Sequence, residues 1–114
     1  MPPLLSMKKI IKYNKLVRDR IPEIIEKAGK TCTTEILSTD EYIKMLDAKL
    51  NEELQEYQDS KSMEELADLM EVIRAVAVAR GSSLDEIEQI RRKKAEKRGG
   101  FDERILLVEV QEEC

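Results

Sequence analysis

The sequence predicts a mainly α fold, a small bundle of about four helices with minor short strands. Three observations carry this. Apolar residues recur three and four positions apart through most of residues 39–97, the period of a helix face. Three Ser-x-x-Glu capping boxes stand in succession, Ser38 with Glu41, Ser62 with Glu65 and Ser83 with Glu86, each pairing a hydroxyl and a carboxylate able to satisfy free backbone N–H groups at a helix start. Glycines fall where helices must stop, at Gly29, Gly81, Gly99 and Gly100.

Taken in order, MPPLLS precedes a second methionine at Met7 and reads as an extension. The domain is expected over residues 13–114, with 1–12 outside it and disordered in part. A first helix follows Asp19, with Pro22 tolerated in its first turn and Gly29 as its stop. Thr31 to Leu37 is rich in β-branched residues and predicts a short strand. Helices are then expected at about 39–59, 63–80 and 84–97, with the polar residues 60–62 and Gly81 as breaks. ILLVEV at 105–110 predicts a closing strand.

Composition narrows the chemistry. At 114 residues the chain has room for one core, and a net charge of −4 with 39% charged residues gives no field for gripping a nucleic-acid polymer. There is no histidine, which removes His-based acid–base catalysis, Ser-His and Cys-His nucleophiles and most zinc sites, and counts against a di-iron bundle built on Glu-x-x-His. Cys32 and Cys114 are far apart, and neither a signal peptide nor a membrane-spanning run is evident, so reduced thiols in a cytoplasmic protein with no membrane partner are expected. Carboxylate, lysine and arginine chemistry is left.

Four carboxylates carry the functional signal: Glu53 and Glu56 in NEELQEY, and Glu65 and Asp68 in MEELADLMEV. Members of each pair are neighbours on one helix face, with Cβ atoms about 5–6 Å apart. Two pairs facing each other across an antiparallel hairpin would form an all-oxygen pocket suited to Mg²⁺. In helical phase Ile43, Leu46, Leu50, Leu54 and Tyr57 form an apolar stripe, with Glu53 at its border and Glu52 nearly opposite, in solvent. Glu65 and Asp68 extend an apolar row formed by Val72, Ala75, Val76 and Ala79, where an unpaired charge is costly. The plain alternatives are that Glu65 only completes the capping box of Ser62, and that Glu56 is an ordinary surface residue.

The last helix supplies cations. Ile87 and Ile90 define its inward face, which continues through Arg91, Lys94 and Arg98, suiting a polyphosphate beside an acidic metal pocket. Lys15 and Arg18, at the entry to the first helix, are candidates to add to it; the alternative for the basic run is a solvated face, and for Asn14 a turn.

These motifs together resemble a known superfamily. Glu52, Glu53 and Glu56 in E-E-x-x-E, followed after a short turn by Glu65 and Asp68 in E-x-x-D, look like the signature of the all-α nucleoside triphosphate pyrophosphohydrolases, which include MazG and phosphoribosyl-ATP pyrophosphohydrolase. YNKLVRDRIPEII at the start and KKAEKRGGF near the end are similar to a compact MazG-like, house-cleaning branch. The resemblance runs from Tyr13 to about Leu107. It implies a MazG-like bundle, Mg²⁺ (or Mn²⁺) as cofactor, and cleavage of a nucleotide between its α- and β-phosphates to give a monophosphate and pyrophosphate. It implies Glu53, Glu56, Glu65 and Asp68 as metal ligands and a catalytic set of Glu52, Glu53 and Glu56, while the outward helical phase of Glu52 sets it outside the metal's direct ligands, as a base acting through water. Lys94, Arg98, Lys15, Arg18 and Asn14 are implied as phosphate-binding. Tyr42, Tyr57 and Phe101 are the stacking candidates for a base.

Two further expectations complete the reading. The third helix is apolar over most of its circumference, so a homodimer or tetramer is expected to cover it. The alternative function is a non-catalytic helical protein that binds nucleotide or metal through the same pocket.

Overall fold

A computed structural model describes residues 8–113. It contains four helices: α1 (Ile21–Lys27), α2 (Thr39–Ser60), α3 (Met63–Ala79) and α4 (Leu84–Arg98). The fold is mainly α, as expected. Each capping serine does what the sequence implies: Ser38, Ser62 and Ser83 accept the backbone N–H of Glu41, Glu65 and Glu86 at the starts of α2, α3 and α4. Pro22 lies in the first turn of α1, where its missing N–H has no helical partner to lose. Gly81, with φ of 84°, follows α3, and Gly99, with φ of 82°, caps α4; both angles favour a residue without Cβ.

α2 and α3 form the central hairpin. Lys61, left-handed at φ 58°, turns the chain between them. They run antiparallel: Arg80, just past the end of α3, pairs with Asp47 early in α2 at 3.1 Å, while Glu53 later in α2 meets Glu65 and Asp68 at the start of α3. Leu46, Val72 and Ala77 are its buried apolar residues. Among the described residues α4 joins this hairpin only through α3, and α1 packs on no other helix.

The two expected strands are corrected. Residues 31–37 and 105–110 are in neither helix nor strand, and no strand is found among the described residues. β-branched and apolar composition supplies propensity, but a strand exists only with a partner to accept its ladder, and among the described residues neither segment is paired in one. Ile105, Leu106, Leu107 and Val108 instead stand well exposed.

The inward face expected for α4 is corrected likewise. Ile87 and Ile90 are 38% and 54% exposed, and no residue of α4 is buried. Periodicity identifies which face is apolar, not whether a neighbour covers it. Leu54, placed on the apolar stripe of α2, is 44% exposed, whereas Glu53 is 7% exposed. Glu53 follows Leu46 by two helical turns and returns to the same face, so the α3-facing seam runs through the acid.

The extension expected over residues 1–12 falls in part on residues 1–7, outside the described residues, as does Cys114; residues 8–12 are exposed and in neither helix nor strand. Cys32 is a free thiol. Among the described residues no helix is long and apolar enough to cross a membrane. The chain is elongated: its radius of gyration is 21.3 Å, against about 13 Å for a compact domain of this length.

Candidate metal centre

Two helical pairs converge at the seam. Glu52, Glu53 and Glu56 bring one carboxylate oxygen each within 4.8 Å of one another, and so do Glu53, Glu65 and Asp68. Glu53 belongs to both groups, so the five acids form one cluster centred on it. Oxygens around an octahedral Mg²⁺ stand at most about 4.2 Å apart, twice the metal–oxygen distance. Small side-chain rotations therefore suffice to close either group on a cation.

The fit is tested by what the carboxylates lack. Glu53 Oε2 and Glu65 Oε2 are buried and accept no hydrogen bond. A buried carboxylate oxygen without a donor is costly, and a hard cation is the partner that satisfies several at once. The donor set is all oxygen, which suits Mg²⁺ or Mn²⁺ and not a soft metal. Electrostatics agree. Burial, then the charge of Glu56, pushes the Glu53 carboxyl above its ordinary range against the pull of Lys49. Burial and then Glu56 raise Glu65 in the same direction.

Glu52 behaves differently, and its expected solvent position is corrected. It is half-buried and accepts from Lys15 at 3.1 Å and Lys49 at 3.3 Å. Burial raises its carboxyl, but the two lysine hydrogen bonds more than offset this and leave it below its usual range. Glu52 lies nearly opposite the apolar stripe of its own helix, but Lys15 from the segment before α1 reaches that side. Lys15 is raised in turn, chiefly by its hydrogen bond to Glu52.

The cations implied for phosphate separate into two places. Arg18 donates to Asp68 at 2.7 Å, so Lys15 and Arg18 both lie on the acidic cluster. Asn14 is exposed and left-handed at φ 46°, and the chain bends at the next residue, Lys15. Lys94 and Arg98 are elsewhere: with Arg91, Ala95, Gly99, Gly100 and Phe101 they line an open groove of about 530 Å³, and none of the cluster carboxylates lines it. The expected place of this basic face beside the acidic cluster is thus not found within one chain, because α4 leaves the hairpin at the end of α3 remote from Glu65. Arg91 is engaged by Glu88 at 2.6 Å, which with Arg92 draws that carboxyl down to about 2. Lys94 and Arg98 form no ion pair among the described residues. Of the stacking candidates, Phe101 is 98% exposed at the groove, and Tyr42 and Tyr57 are half-buried on α2.

Lys49 is the site residue that sequence reasoning missed. Its side chain is largely buried and lies 3.6 Å from Glu53 and 3.3 Å from Glu52. The signal was present in the spacing: Lys49 stands three and four residues before the two acids, on their own helix face.

Comparison with known proteins adds one short match. The chain is 58% identical over 41 residues to an uncharacterized protein of Mycolicibacterium smegmatis (strain ATCC 700084 / mc(2)155), covering 36% of this chain and 42% of that protein. The chain thus spans less than half the length of this relative. No protein-family model matches the chain, and no solved structure does.

Proposed function

We propose that the chain is a cytoplasmic, Mg²⁺-dependent nucleoside triphosphate pyrophosphohydrolase that cleaves the α–β phosphoanhydride, in keeping with its resemblance to the MazG-like, house-cleaning enzymes. The observation that carries this reading is the buried pair of unpartnered oxygens, Glu53 Oε2 and Glu65 Oε2, within a cluster of five acids. Glu53, Glu56, Glu65 and Asp68 are the residues to hold the cation. When bound, it supplies positive charge to the phosphoryl oxygens and acidifies a water, so no nucleophilic side chain is required.

The chain's own residues do the rest. Glu53 fixes the centre of the cluster, held from the α2 side by Lys49. Glu52, kept ionised by Lys15 and Lys49, is a carboxylate able to accept a proton through water. Lys94 and Arg98 hold the distal phosphates. Since they lie outside the cluster within one chain, this role belongs to an assembled form in which a second copy brings its basic groove to the acidic seam. The exposed apolar residues Leu54, Met63, Met70, Val78, Ile87 and Ile90 supply the surface for such a homodimer or dimer-based tetramer. Light scattering at micromolar concentration is expected to give twice or four times the chain mass. A stable folded monomer would overturn the assembly.

The reaction is checked by product analysis. A nucleoside triphosphate with Mg²⁺ should yield monophosphate and pyrophosphate in equal amounts, with ¹⁸O from labelled water in the monophosphate and no reaction in EDTA. Diphosphate with labelled orthophosphate as first products would refute the reading. Nucleotide binding without turnover across a panel of bases would favour the non-catalytic alternative.

Lys94→Ala or Arg98→Ala is expected to raise KM or lower kcat on the order of tenfold, the loss of one charge-assisted phosphate contact, with Mg²⁺ affinity of the free protein unchanged. Unaltered kinetics in both would make this run a solvated helix face.

A further inference from the structure

The segment before α1 crosses the open side of the acidic cluster, and its attachment is unusual. Among the described residues it is in neither helix nor strand from Lys8 to Asp19, apart from bends and turns, and α1 behind it packs on no other helix. Two side-chain ion pairs fasten it to the hairpin: Lys15 Nζ to Glu52 on α2 at 3.1 Å, and Arg18 Nη2 to Asp68 on α3 at 2.7 Å. Both are exposed, with Lys15 and Arg18 side chains 43% and 59% accessible. Ion pairs this exposed are weak and exchange readily. Lys49 contrasts with them, since it is 17% accessible and held on α2 itself.

Arg18 competes directly with a cation. Asp68 Oδ1 accepts its guanidinium, while Asp68 is one of the three acids whose oxygens converge around Glu53. A carboxylate neutralised by arginine is a poorer ligand, and a guanidinium beside the cluster repels a divalent ion. Metal and arginine therefore disfavour each other at Asp68, and the effect is reciprocal.

We propose that Arg18 is an exchangeable counter-ion. It neutralises the cluster in the metal-free chain, leaves Asp68 when a divalent cation binds, and passes to the phosphate oxygens of a polyphosphate ligand at the same rim. The charge is conserved through the exchange, because one anion of the cluster and one of the ligand take the same cation in turn. The order of binding follows: metal first, phosphate second. This rests on the metal reading above and adds a competition that the reading does not require.

Calorimetry on the full chain tests it with two probes, MgCl₂ alone and then imidodiphosphate added to the Mg²⁺-loaded protein. Arg18→Gln is expected to bind Mg²⁺ about 2- to 5-fold more tightly, the range of one exposed ion pair, and imidodiphosphate roughly tenfold more weakly, the loss of a charge-assisted contact. Arg20→Gln is the control, since Arg20 pairs with Glu23 within its own segment at 3.3 Å and does not touch the cluster. Unchanged or weaker Mg²⁺ binding by Arg18→Gln, or an equal gain in Arg20→Gln, would overturn the exchange while leaving the metal site standing. Absence of Mg²⁺ binding by the unsubstituted chain, or equal binding by Asp68→Asn, would overturn both.

Discussion

Asp68→Asn or Glu53→Gln should abolish Mg²⁺-dependent pyrophosphate release, with a loss of at least about 100-fold, since a catalytic cation contributes several kcal/mol of charge stabilisation. Neither change should unfold the protein. Glu53 is buried among like charges with Oε2 unpartnered, so its amide analogue removes repulsion and supplies a donor to a neighbouring carboxylate. Thermal melts in EDTA should show Glu53→Gln at least as stable as the unsubstituted chain. Glu64→Gln is the contrast, because Glu64 lies on the same turn but is exposed and outside both acid groups. It should retain full activity. Equal rates for Asp68→Asn and Glu64→Gln would remove the cluster from the mechanism.

The metal-free protein should grow more stable as pH falls from 7 toward 5, and Mg²⁺ should abolish that trend. Glu53 and Glu65 have carboxyls raised above their ordinary value of 4.5 in the folded chain. A raised acid disfavours folding once it ionises. Its penalty is absent below the unfolded value and grows as pH rises through the raised folded value. Glu52 has the opposite sign: its lowered carboxyl contributes stability above the ordinary value and loses it as pH falls through the lowered one. The first effect acts above the ordinary value of 4.5, and below it the lowered carboxyls of Glu52, Glu71 and Glu88 oppose it. Saturating Mg²⁺ holds the cluster ionised, and at 100 times its Kd adds about 2.7 kcal/mol, a rise in Tm on the order of 10 °C for a domain of this size. Differential scanning calorimetry across pH, with and without Mg²⁺, checks both. A metal-free Tm that falls steadily between pH 7 and 5 would contradict the burial of these acids.

Helix positions were legible in the residues themselves because their signals are local. Ser38, Ser62 and Ser83 each cap the helix that follows, and Gly29, Gly81 and Gly99 have positive φ near the breaks assigned to them. Capping and left-handed turns depend on three or four consecutive residues and on no distant partner. The four carboxylates were legible for a related reason. Residues three apart share a helix face in any context, and the short 61–62 turn brings α2 and α3 antiparallel with those faces near each other.

The remainder was decided in three dimensions. Helical phase placed Leu54 inward and Glu53 at a border, but the seam against α3 buries Glu53 and exposes Leu54. β-propensity at 31–37 and 105–110 could not supply the partner that a strand needs. Helical phase points Glu52 to solvent, but Lys15 reaches it from the segment before α1, a contact spanning 37 residues of sequence that no local pattern encodes. The sequence by itself determined the helices, their ends and the acids that share a face, since short-range geometry governs all of these. Only the tertiary structure decided which acids are buried and which cations neutralise them, and that the basic groove of Lys94 and Arg98 stands apart from the acidic seam within one chain, because burial and charge pairing depend on what packs opposite.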